Sequence, residues 1–167
     1  MNYITARRRL RSGDVVAWTH RGIHSWHDVE VAIVRLATMS EYSHCGVLWR
    51  IAGRVFVLDA VSTGVRIFPL SRLLPCFWLR MGKGFGKAAE EFALATVGQP
   101  YSKWQAVRAF FGQLKQGRDG YWQCAEHSIA LLKANGIELN CRATPSAVVA
   151  AAQDIAKGGI VPLKGTA

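Results

Sequence analysis

No stretch of this 167-residue chain reaches the ~20 uninterrupted apolar residues that a membrane-spanning helix needs. Arg, Asp or Gly breaks each long apolar run. Acidic charge is also scarce, with 11 Asp and Glu against 21 Lys and Arg. Arg7, Arg8, Arg9 and Arg11 crowd the start, yet no apolar segment follows them, so no ordinary signal peptide is expected. That leaves a cytoplasmic, virion-associated or non-classically released protein. The four cysteines, Cys45, Cys76, Cys124 and Cys141, include no C-x-x-C pair, which excludes a zinc ribbon and a thioredoxin-type motif. Without a leader, a disulfide framework is not expected either. There is no internal repeat, low-complexity tract or linker, and 1–167 reads as one domain.

Half of the residues are hydrophobic and only 19% are charged, the balance of a globular chain and not a disordered one. The net charge of +10 suits an anionic partner such as an envelope polymer, a membrane surface or nucleic acid. Six tryptophans keep open a purely binding protein that holds nucleic acid or glycan. Nucleic acid is not the favoured partner.

Periodicity divides the chain. Asp14–Trp18 reads as a short strand, and His44–Ile51 with Arg54–Ala60 as a hairpin turning at Ala52-Gly53. Val65–Pro69 and Phe77–Arg80 read as two more strands. Helical spacing is found in Trp26–Met39, Ala88–Val97 and Cys124–Asn135. Gly136 suits the residue after a helix end, and Thr144-Pro145 an N-cap and first turn for a last helix to about Ala156. Strands come mostly first and helices mostly later, which predicts an α+β fold with a small antiparallel sheet packed against helices.

Two positions stand out for chemistry. Cys124 opens a helix, where unpaired backbone N–H groups and the macrodipole favour a thiolate. Its own N–H can contribute to an oxyanion hole. His44 opens a strand and can hold the thiol's proton near neutral pH. Alternation puts His44, Gly46 and Leu48 on one face and Cys45, Val47 and Trp49 on the other. Cys45 is therefore read as a small buried hydrophobe, and Gly46 as a place for close approach beside the histidine. Asp59, on the strand next to that of His44, is the best-placed carboxylate to orient an imidazole; a solvated strand-end acid is the competing reading.

Six segments in order carry a resemblance. They are Ser12–Val16 (SGDVV), Tyr42–Trp49 (YSHCGVLW), Val57–Leu70 (VLDAVSTGVRIFPL), Gly98–Tyr101 (GQPY), Gln123–Ile137 (QCAEHSIALLKANGI) and Thr144–Val148 (TPSAV). Together they resemble the circularly permuted, NlpC-type papain-like amidases of the YaeF/YiiX-like group. The histidine precedes the cysteine here, as such a permutation implies. The resemblance implies Cys124 as nucleophile, His44 as base and Asp59 at the third polar position, where the group usually carries glutamate. By that token Asp59→Glu should be tolerated. It also implies that Tyr101 borders the site, as a substrate-binding or oxyanion residue, and places Ala125 where serine is common.

His20, His24 and His27 have zinc-compatible spacing, but Gly22 interrupts the helix they would need, and the segment is read as a loop. Met81–Lys87 (MGKGFGK) lacks a phosphate-loop pattern and reads as a connector. No metal or cofactor is called for. The expectation is a cysteine amidase working through an acyl-enzyme on a peptide or acyl substrate, with bacterial cell-wall peptides as the leading class. An acyltransferase or hydrolase of lipid amides or thioesters is the second reading, and a basic binding or structural protein the third.

Overall fold

The computed structural model describes residues 1–19, 41–100, 123–156 and 159–165. The expected helix over Trp26–Met39, the three histidines of 20–27 and Tyr101 all lie outside them. Among the described residues the fold is α+β. A six-stranded sheet has the order β4-β3-β2-β1-β5-β6, and every neighbouring pair is antiparallel. Its strands are β1 (Val15–Trp18), β2 (His44–Ile51), β3 (Arg54–Val61), β4 (Gly64–Pro69), β5 (Cys76–Leu79) and β6 (Val161–Leu163). The helices are α1 (Tyr3–Ala6), α2 (Lys87–Thr96), α3 (Cys124–Ala134) and α4 (Pro145–Ile155).

The β2–β3 hairpin turns at Ala52 and Gly53, both with positive φ (47° and 76°). Two successive left-handed residues are what a tight two-residue hairpin requires. The pleat then sorts side chains onto two cores. Val15, Ala17, Cys45, Val47 and Trp49 point toward α2, α3 and α4. Val16, Leu48, Val57 and Trp78 point the other way, with Leu163 of β6, onto Ala6 of α1, Leu10 and Leu70. The alternation read from β2 holds.

Helix α3 lies across β2 and β3 and also packs on α2 and α4. It stops where expected. Gly136 takes φ +69°, its N–H bonds Lys133 O at 2.8 Å, and Ile137 N–H reaches back to Leu132 O at 2.8 Å. That double bond pattern is a Schellman stop, sealed by the buried Leu132 and Ile137. Helix α4 begins at Pro145, with Thr144 Oγ1 accepting from Ala147 N–H, a cap worth about 1 kcal/mol.

Three elements escaped the sequence reading, one of them a 3₁₀ turn over Leu70–Arg72. Val161-Pro162-Leu163 is a three-residue edge strand with a proline in its middle, too short for periodicity to register. Helix α1 has a single turn, capped by Asn2.

Candidate active site

The site forms where the first residues of β2 meet the first turn of α3. Gly46 and Asp59 continue the β2–β3 register set by Val47 opposite Leu58. The gap at Gly46 is tight. A Cβ there would lie 2.7 Å from Val57 Cγ1, 2.9 Å from Leu58 O and 3.2 Å from Asp59 Cβ. Glycine therefore admits the Asp59 side chain beside the histidine, as the close-approach reading anticipated.

Asp59 is fully buried, so it is not the solvated strand-end acid of the competing reading. Its Oδ2 lies 2.8 Å from His44 Nε2. Arg66, opposite it on β4, donates from Nε to Oδ1 at 2.9 Å and from Nη2 to Oδ2 at 3.2 Å. Such a two-pronged grip fixes the plane of a carboxylate. The Arg66 guanidinium also sits over the Phe68 ring, 4.7 Å from its centre. Burial alone would raise the acid's pKa, but the hydrogen bonds and charges of His44 and Arg66 outweigh it and hold the group below its usual 3.8.

The imidazole is thus tied through Nε2, which leaves Nδ1 as the nitrogen for a second partner. Trp18, paired with His44 across β1 and β2, packs its ring against it at a centroid distance of 5.4 Å. The Trp18 Nε1 donates to Leu73 O at 2.6 Å, so the wall beside the histidine is itself pinned. An open cavity of about 380 Å³ extends from Trp18 along Leu73, Pro75, Phe77 and Pro162.

Cys124 is the first residue of α3 and is 8% exposed. Gln123 is the N-cap, and its backbone N–H donates to Glu126 Oε2 at 3.3 Å. The thiol's pKa is pulled well below 9.0. The largest cause is a hydrogen bond from the Cys45 thiol. Burial opposes it, and the charge and hydrogen bond of His44 together with the Cys45 backbone N–H add to the lowering. On His44, burial works to lower the pKa, but the Cys124 thiolate and Asp59 prevail and push it up to about 10. Both shifts favour the thiolate–imidazolium form of the pair.

Three of the four site residues singled out in the sequence, Cys124, His44 and Asp59, come together in this way; the fourth, Tyr101, lies outside the described residues. Cys45 is a small buried residue of the core, as read from the sequence, and it has a further role, because its thiol hydrogen-bonds that of Cys124. Its Sγ also lies 3.7 Å from Ser128 Oγ, one helical turn beyond Cys124. Sequence reasoning missed Arg66 as well. Counting outward from the tight Val61–Gly64 turn would have set it opposite Asp59. His127, on the same helix as Cys124, takes no part in the pairing. It is buried, its Nε2 lies 3.0 Å from Thr96 Oγ1, and burial pushes its pKa down to about 4.

Among the described residues no group of three or more His, Cys, Asp or Glu side chains is arranged to hold a metal ion. No helix among them is long and apolar enough to cross a membrane.

Comparison with known proteins gives a fold and not a family. No family model matches the chain, and no curated protein matches it. The solved structure of the metalloprotein YiiX from Escherichia coli O157:H7, of the DUF1105 group, superposes with a TM-score of 0.56. It shares 23% identity, over 77% of this chain and 68% of YiiX. The chain therefore has a YiiX-like α+β fold.

Proposed function

We propose that this protein is a cysteine hydrolase of permuted papain-like type, cleaving an amide bond through an acyl-enzyme. The observation that carries the reading is the chain of contacts Arg66–Asp59–His44–Cys124, which ends on a thiol at a helix N-terminus. The YiiX-like fold and the order of histidine before cysteine support the permuted architecture.

The chemistry follows from the geometry. The Cys124 thiolate attacks the substrate carbonyl, and its backbone N–H faces the developing oxyanion from the helix start. The His44 imidazolium then gives its proton to the leaving amine, becoming the neutral base that activates water for deacylation. Asp59 positions the ring and stabilises its charged form without taking the proton. Arg66 in turn holds the Asp59 carboxylate in place. Cell-wall peptides are the substrate class, since a net charge of +10 draws the protein to an anionic wall.

The test is turnover of purified protein on a panel of muropeptides beside acyl thioesters and lipid amides, with Cys124→Ala as control. Release of a new amine from muropeptides, lost in Cys124→Ala, is the expected result. Turnover of the acyl panel alone would replace the substrate class. No turnover with either panel, joined to ordinary thiol reactivity at Cys124, would overturn the enzyme reading.

A further inference from the structure

Four free thiols are present, and two of them, Cys45 and Cys124, share a hydrogen bond and flank Ser128 in the site. Cys45 reaches Cys124 from β2, with Ser128 beneath both. Ser128 Oγ donates to Cys124 O at 2.8 Å, which commits the serine's proton. Cys45 has one S–H and two possible acceptors, the Ser128 oxygen at 3.7 Å and the Cys124 sulfur. A charged acceptor binds a donor about twice as strongly as a neutral one, so the proton is directed to the Cys124 thiolate. The two sulfurs differ in access. Cys45 is fully buried, whereas Cys124 retains 8% exposure.

We propose that Cys124 and Cys45 form a reversible oxidation site, in which a peroxide oxidises Cys124 and Cys45 closes the disulfide that switches the enzyme off. The Cys124 thiolate attacks one oxygen of hydrogen peroxide, the O–O bond breaks, and sulfenic acid and hydroxide result. The Cys45 sulfur then attacks the Cys124 sulfur, expelling the hydroxyl, which leaves as water with the Cys45 proton. Two thiols have lost two electrons to one peroxide. Easier loss of the Cys45 proton then favours the second step. The leading cause that keeps the Cys45 thiol protonated is its hydrogen bond to Cys124, aided by burial and by the Cys124 charge. Conversion of Cys124 to a neutral sulfenic acid removes that charge. The inference rests on the reading of Cys124 as a thiolate nucleophile, but its chemistry needs no substrate.

The experiment treats the full chain with hydrogen peroxide in several-fold molar excess, enough for two oxidations per thiol, and maps the cysteines by mass spectrometry of peptides. The wild type should show a Cys45–Cys124 disulfide, lose alkylation at Cys124, and regain it with dithiothreitol. Cys45→Ser should instead carry Cys124 on to sulfinic acid, which dithiothreitol does not reverse. Cys45→Ala repeats the measurement without a hydroxyl, and alkylation of Cys124 before oxidation shows that each variant has kept the site. A disulfide from Cys124 to Cys141, which lies close enough to raise the Cys45 pKa, would overturn the proposal. So would sulfinic acid in the wild type. Muropeptide turnover is scored separately, so a failed hydrolase with an intact disulfide response, or the reverse, tells the two readings apart.

Discussion

Two carboxylates are buried in this sheet, and their surroundings give them opposite characters. Asp14, just ahead of β1, is 1% exposed and takes three neutral N–H donors. These are Arg11 N at 3.0 Å, Trp78 Nε1 at 2.9 Å and Met81 N at 3.0 Å. Burial outweighs these bonds, and its pKa is raised above 3.8. Asp59 is equally buried, yet two cationic partners lower its pKa. The first acid ties loops to a strand. The second holds a charge in readiness beside a histidine. Burial alone therefore does not tell the two acids apart; their partners do.

The histidines on either side of α3's first turns repeat the contrast. His44 is pushed up to about 10 by a thiolate and a carboxylate, whereas His127, among Thr96 and Phe92, is pushed down to about 4. One is charged at neutral pH and the other is not.

The largest expected effect comes from the sulfur itself. Cys124→Ala should abolish turnover with the fold unchanged, read by hydrolysis and circular dichroism. If Cys141→Ala abolishes it instead while Cys124→Ala stays active, the nucleophile has been misassigned.

Next comes His44→Ala, which removes the imidazolium that helps hold the Cys124 thiol below 9.0. The pH midpoint of Cys124 alkylation by iodoacetamide should move upward. In the wild type, turnover should rise as Cys124 ionises below 9.0 and fall as His44 loses its proton near 10. Identical alkylation profiles in the two proteins would break the pairing.

The two carboxylates can then be compared directly. Asp59→Asn should cost roughly tenfold or more in kcat, by removing the charge that stabilises imidazolium. Asp14→Asn should leave the alkylation profile alone. It should destabilise the fold by roughly 1–3 kcal/mol, because an amide NH₂ would face an N–H donor, read by urea melts. An Asp59→Asn protein of full activity would erase the distinction.

A finer test bears on length. The resemblance suggested that glutamate would be tolerated at 59. The geometry says otherwise, since aspartate already reaches His44 at 2.8 Å and is fully buried. An added methylene must fit a packed site, at about 1–3 kcal/mol, so Asp59→Glu should lower both stability and rate.

The smallest effect is in acid. Asp59's stabilisation is complete above 3.8 and is lost as pH falls through its lowered value. Asp14 has the opposite sign, because the folded protein favours its protonated form. Asp59→Asn should therefore flatten the acid limb of the stability curve and Asp14→Asn should steepen it. Equal slopes in both variants would mean that the two acids do not differ as described.

Elements whose signals are local are legible in the amino-acid order. The Ala52-Gly53 hairpin, the Gly136 stop and the Thr144-Pro145 start each depend on a few adjacent residues. So do the two faces of β2, because side chains in a strand alternate whatever else surrounds them. Cys124 and His44 are visible for the same reason: each opens an element. Arg66 and Cys45 are not. Their roles arise from residues seven and 79 positions away, joined only by sheet register and helix packing.

The amino-acid order by itself determined which residues open helices and strands, the sign of the net charge, and that a histidine precedes a cysteine. Only the tertiary structure decided which groups are charged. A pKa depends on burial and on charges within a few ångströms, and those neighbours are brought up by distant parts of the chain. Asp14 and Asp59 are the same residue type in similar apolar stretches; burial outweighs the partners of one, and two hydrogen-bonded cations outweigh burial at the other.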